Sequence, residues 1–115
     1  MIAAALVAAI AAAHVSLPTQ AQEQAKASGG KRVIVEIRAF KFAPRMPDVA
    51  PGDTVVWVNK DIVPHTVTAR DGSWDSGKIK TGARWQMVVK AGQSPQYYCK
   101  FHPAMKARLQ IARKR

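Results

Sequence analysis

The stretch YYCKFHPAMKA, residues 97–107, holds the single cysteine of the chain, Cys99, with His102 three residues on and Met105 three beyond that. A second imidazole, His65, stands upstream in VPHTV, and the remaining histidine, His14, lies in an apolar leader. Thiolate, imidazole and thioether are donors for a soft or borderline transition-metal ion. One cysteine cannot close an internal disulfide, and a free thiol in an oxidising compartment is a liability unless something occupies it. Each residue has a plainer reading. Cys99 alone is most often a small buried hydrophobe, Met105 a core filler and His65 a half-buried strand residue. Together, at this spacing, they favour ligands.

Two imidazoles, one thiolate and a weak thioether form the donor set of a type 1 copper site. Cu(I) prefers sulfur, whereas Cu(II) prefers imidazole and a flatter arrangement. A compromise geometry held by the chain suits both, so little moves when one electron passes. The same donors can take Zn²⁺, although Cu(II) binds more tightly in the divalent series. The ligand set serves a one-electron carrier, and equally a copper buffer or delivery protein without a redox partner. Enzymes fit poorly. A second copper centre needs more histidines, a dicopper centre needs a second cysteine, and a thiol enzyme needs a cleft that nothing in the sequence suggests.

The elements that must bring these residues together read as strands. Residues 33–40, 54–59, 65–69, 84–90, 96–100 and 107–112 are short runs of β-branched and aromatic residues. Gly, Pro and Asp turns separate them, and no sustained helical period appears after the leader, so an antiparallel all-β sandwich or barrel is expected. Pro103 cannot continue a ladder or a helix interior, so the chain is expected to turn after Cys99 and let three side chains converge from a tight loop. His65 must then arrive from a neighbouring strand, as a Greek-key β-sandwich allows. Trp57 and Trp85 are read as core or sheet-face residues and Trp74 as a packing plug. One of Tyr97 and Tyr98 should point inward.

The segments FKFAP, PGDTVVWVN, VPHTVTA and YYCKFHPAM, in this order, resemble the cupredoxins, and the short Cys-x-x-His-x-x-Met loop resembles the amicyanin type. The resemblance runs from about residue 33 to 111. It implies a cupredoxin-like Greek-key β-sandwich with one type 1 copper ion, His65, Cys99 and His102 as equatorial ligands and Met105 as axial ligand. It also implies that His102 reaches the surface through an apolar patch made by Phe101, Pro103 and Ala104, and that electrons pass through its edge. The chain departs from the pattern at three places. Thr66 stands where many relatives have Asn, and its hydroxyl is expected to take over part of the tie between the two ligand loops. Ala107 stands where relatives often have Gly, which would be strained if that backbone needs positive φ. Phe101 stands where amicyanins have Pro, and its N–H is expected to donate to the Cys99 sulfur.

Residues 1–13 are wholly apolar, shorter than the roughly 20 residues of a membrane span. With the small residues that follow, 1–21 read as a signal peptide cut near Ala21, although no Lys or Arg precedes the apolar run. Residues 22–31 read as a flexible linker and 32–115 as the copper-binding domain, which places the protein in the periplasm. Membrane association would come only through an uncleaved leader. The formal net charge is +11 and 1–21 hold no Lys, Arg, Asp or Glu, so the charge belongs to the mature part. It favours an acidic partner. No recognised nucleic-acid motif accompanies it. Lys100, Lys106 and Arg108 lie close to the ligand loop, so a monomer that meets an acidic redox partner near His102 is expected.

Overall fold

The computed structural model describes residues 30–113. The leader 1–21 and nearly all of the linker 22–31 lie outside the described residues. Nine strands follow in order: β1 (Arg32–Arg38), β2 (Lys41–Ala43), β3 (Asp48–Val49), β4 (Thr54–Asn59), β5 (Thr68–Ala69), β6 (Arg84–Val88), β7 (Gln96–Cys99), β8 (His102–Arg108) and β9 (Gln110–Ile111). They form an all-β Greek-key sandwich. One sheet has the order β2-β1-β4-β6, the facing sheet β5-β7-β8, and β3 pairs with β9.

The longest β-branched runs, RVIVEIR and TVVWVN, become β1 and β4 and pair in parallel from Arg32↔Thr54 to Ile37↔Asn59. Branched side chains fit the pleated, half-buried surface. Their inward residues Val35, Ile37, Val55 and Trp57 are fully buried and share one core with Val67, Tyr97, Cys99, Met105 and Leu109. Between β3 and β4 the chain reverses at Pro51–Gly52. Gly52 has φ 94° and the Asp53 N–H donates to the Ala50 carbonyl at 3.0 Å, the geometry a type II turn reserves for glycine. The buried Asp53 carboxylate holds this corner by accepting from Lys31 N and Ala50 N.

Tyr97 faces the core, whereas Tyr98 is half-exposed, as alternation on a strand requires. Tyr97 fixes β7 to the facing sheet: Trp57 Nε1 donates to its hydroxyl at 3.3 Å, and the two rings meet edge to face at 5.6 Å. Burial pushes the Tyr97 phenol far above its usual range, with the Trp57 bond acting the other way, so it stays neutral. Trp57 is core. Trp85 is half-buried, stacked on Trp74, whose Nε1 donates to the Ser94 carbonyl at 3.0 Å.

Three expectations change in detail. The sandwich is not purely antiparallel, because β1 with β4 and β3 with β9 pair in parallel. Residues 65–69 form a ladder only at Thr68–Ala69, and His65 makes an isolated bridge with Ile79. The reason is that the amides before β5 are spent elsewhere: Thr66 N–H donates to Cys99 Sγ and Val67 N–H to Ser76 Oγ. The loop after Cys99 is also shorter than expected. Lys100 and Phe101 make the whole turn, and β8 already begins at His102 with Pro103 inside it. Proline is tolerated there because β8 is the edge of its sheet.

Candidate metal centre

Three loops meet at one end of the sandwich. The first follows β4. Buried Asn59 donates from Nδ2 to the carbonyls of Val63 and Ile79, at 2.9 and 3.0 Å, and its Oδ1 accepts from Asp61 N at 2.9 Å. One side chain thus shapes the loop 60–64 and delivers His65 into the interior, where it is fully buried. His65 Nε2 contacts Asp61 Oδ2 at 2.8 Å. A carboxylate accepts from an N–H, so the Nε2 proton is fixed there and the Nδ1 lone pair is left to face inward.

The second loop is the β7–β8 turn. A register irregularity between Tyr98 and Cys99 brings Cys99 opposite His102. The Cys99 Sγ lies 3.6 Å from His65 Nδ1 and 3.7 Å from His102 Nδ1, and the three donor atoms all lie within 4.8 Å of one another. These separations are long for hydrogen bonds, but they match donors that share an ion. With metal–N of about 2.0 Å and metal–S of about 2.3 Å, the two atoms stand roughly 3.6 Å apart at near-tetrahedral angles. Cys99 is fully buried. Met105 points inward from β8, 5% exposed, and lines a hollow with Phe40 and His102. All four residues anticipated from the sequence therefore stand at the same end of the sandwich.

The tie between the ligand loops is built on Thr66. Its amide donates to Cys99 Sγ at 3.3 Å, and its hydroxyl accepts from Lys100 N at 2.8 Å and contacts Thr68 Oγ1 at 2.9 Å. Thr68 Oγ1 donates to Asp75 Oδ1, and Asp75 Oδ2 closes the ring on Lys100 Nζ at 2.6 Å. The expected role of the Thr66 hydroxyl is thus present. The Phe101 expectation is not: among the described residues, the backbone amide that donates to Cys99 Sγ is that of Thr66. Nor is Ala107 strained. It lies inward on β8, and among the described residues those with positive φ other than glycine are Ala39 and Phe40.

Those two residues form the third loop, the two-residue turn joining β1 to β2, with φ of 50° and 57°. Right-twisted hairpins favour this turn, which normally takes Asn and Gly. Each L-residue held there costs about 1–2 kcal/mol. Asp61 compensates by accepting from Ala39 N at 2.6 Å and Phe40 N at 3.0 Å. Burial alone would raise the Asp61 carboxyl, but the Phe40 amide, the His65 ring and the Ala39 amide outweigh it and hold the group below the usual range. The Phe40 ring then meets His65 at 5.5 Å and His102 at 4.8 Å, both edge-on. Sequence reading missed Asp61, Phe40 and Asp75. The acid four residues before His65 was a usable signal, whereas Phe40 stood in the FKFAP segment that carries the resemblance but was given no role at the site.

The chain matches the family model for copper-binding proteins of the plastocyanin/azurin family over residues 30–112. It belongs to that family. It is 22% identical over 101 residues to amicyanin of Paracoccus denitrificans, covering 84% of this chain and 77% of that protein. Among solved structures, the fold is similar to a purple cupredoxin from Nitrosopumilus maritimus, with a TM-score of 0.62 and 26% identity over 70% of this chain and 99% of the other. It is also similar to a reduced proline-to-phenylalanine variant of amicyanin, with a TM-score of 0.60, 26% identity and coverage of 70% and 82%. A copper-containing nitrite reductase from Thermus scotoductus shares the fold at 23% identity, but over only 22% of its own chain. The donor set and its spacing fit one copper ion as cofactor. The distances alone would suit zinc equally; the family decides for copper.

Proposed function

We propose that His65 and His102 through Nδ1, and Cys99 through Sγ, would hold one copper ion with the Met105 thioether as a weaker fourth donor, and that the protein is an exported one-electron carrier. The observation that carries this is a buried thiol flanked by two imidazole nitrogens at 3.6 and 3.7 Å. When bound, copper supplies the Cu(I)/Cu(II) couple. The chain does the rest. Asp61 fixes the His65 proton on Nε2, Thr66 N–H donates to the thiolate, and the core excludes water from Cys99.

His102 is the half-buried ligand, so its edge is the route for the electron. Around it lie Phe40, Phe101, Pro103 and Ala104, an apolar rim suited to a transient contact. The cationic side needs revision. Lys100 is tied to Asp75, so its charge is largely compensated. Among the described residues no carboxylate pairs with Lys106 or Arg108, which point outward from β8 beside Arg45 and Arg70 around a hollow of about 200 Å³. We assign the guidance of an acidic redox partner to these four. The closed site favours a carrier over copper delivery, since two donors with no exposure cannot be reached by an acceptor protein without opening the fold. The apolar leader read from the sequence supports export to the periplasm.

The deciding experiment adds Cu(II) to the apo-protein, residues 22–115, and records the visible spectrum beside a Cys99→Ser variant. An intense sulfur-to-copper charge-transfer band, lost in the variant, is expected. Its absence from the parent would remove the type 1 assignment.

A further inference from the structure

Two L-residues in the left-handed region, side by side in one turn, are a local outlier that the rest of the fold must hold in place. Here the second of the two, Phe40, packs its ring against both ligand histidines. The turn needs neither residue's side chain for its own sake, because glycine would adopt φ near +57° without strain. The chain nevertheless places phenylalanine there, 49% exposed and with its ring edges on His65 and His102. The carboxylate that holds the strained amides is the one that holds His65 Nε2. The turn and the ligand are therefore clamped by a single group.

We propose that Phe40 is a lid on the metal centre: the strained Ala39–Phe40 turn, clamped by Asp61, presses the aromatic ring on both ligand histidines, keeps water from the copper and slows its loss. This rests on the copper reading above and adds a positioning residue to it. The ring acts through the histidines and is not itself a ligand. Phe40 and Met105 line the same hollow together with Ala104, so removing the ring opens a direct path from solvent to the donors.

The lid makes a prediction that a purely structural role does not. Phe40→Gly should relieve strain and raise, or leave unchanged, the melting temperature of the apo-protein. The same variant should release Cu(I) to bathocuproine disulfonate at least tenfold faster and increase the water-proton relaxation of the Cu(II) protein. Phe40→Leu, which keeps bulk over the histidines, should release copper within about threefold of the parent. A Phe40→Gly variant that melts earlier, or that keeps the parental release rate and relaxivity, overturns the proposal. A separate arm needs no copper: the ¹⁵N resonances of the His65 and His102 rings in the apo-protein should broaden or average in Phe40→Gly, and unchanged rings also overturn it. If the parent shows no thiolate–copper band, the functional reading has failed, and this arm still decides the lid.

Discussion

Replacing Thr66 by valine keeps the shape of a side chain that is 2% exposed and deletes one oxygen. That oxygen accepts from Lys100 N at 2.8 Å and links onward through Thr68 to Asp75. In Thr66→Val the Lys100 amide loses its acceptor. An orphaned donor of this kind costs about 1–3 kcal/mol, and water can reach the Lys100 side of the bond, which favours the middle of that range. At about 2 kcal/mol, a domain of this size should melt about 8–16 °C lower. The assay is thermal unfolding of the apo-protein followed by tryptophan fluorescence at pH 7, with Thr66→Ser as control. Serine restores the oxygen and should recover most of the loss. In parallel, the Lys100 amide should lose its hydrogen-exchange protection. A valine variant melting within about 3 °C of the parent, or a serine variant as unstable as valine, would refute the view that this hydroxyl ties the two ligand loops.

Two further outcomes follow from the charges. Burial alone would raise the Asp75 carboxyl, but Lys100, the Gly77 amide and Thr68 hold it below its ordinary value. A depressed folded-state value contributes stability that is present above the unfolded value and is lost as pH falls through the folded one. Asp75→Asn should therefore be less stable than the parent at pH 7 and converge with it as pH falls through the depressed folded-state value, as read by urea unfolding across pH; a gap that persists once the carboxyl is protonated would contradict this. Lys106→Gln/Arg108→Gln should slow oxidation of the copper(I) protein by ferricyanide about tenfold at low salt. The difference should vanish near 1 M salt, where the screening length is about 3 Å. A salt-independent difference would point away from electrostatic guidance.

The family and the donor set were legible because they depend on residue type and local spacing. Cys99, His102 and Met105 lie within seven residues of one another, and one strand with a short turn brings them to the same end. Strands β1, β4, β6 and β7 were legible for the same reason: alternation and β-branching are local properties of the chain. What the sequence left open depends on which backbone donor meets which acceptor across the sandwich. Residues 65–69 carry a strand's composition, yet most of them do not enter a ladder, because Cys99 and Ser76 take the amides of Thr66 and Val67. Ala107 was suspected of strain and is an ordinary inward strand residue, whereas the strained pair, Ala39–Phe40, sits in a stretch that reads as strand end. Lys100 counted as a free cation until Asp75, 25 residues upstream, paired with it. Residue types alone determined that this chain could bind copper. Only the tertiary structure decided how the histidines are held, what covers them and which charges remain to face a partner, because those are contacts between segments whose separation along the chain carries no signal of their meeting in space.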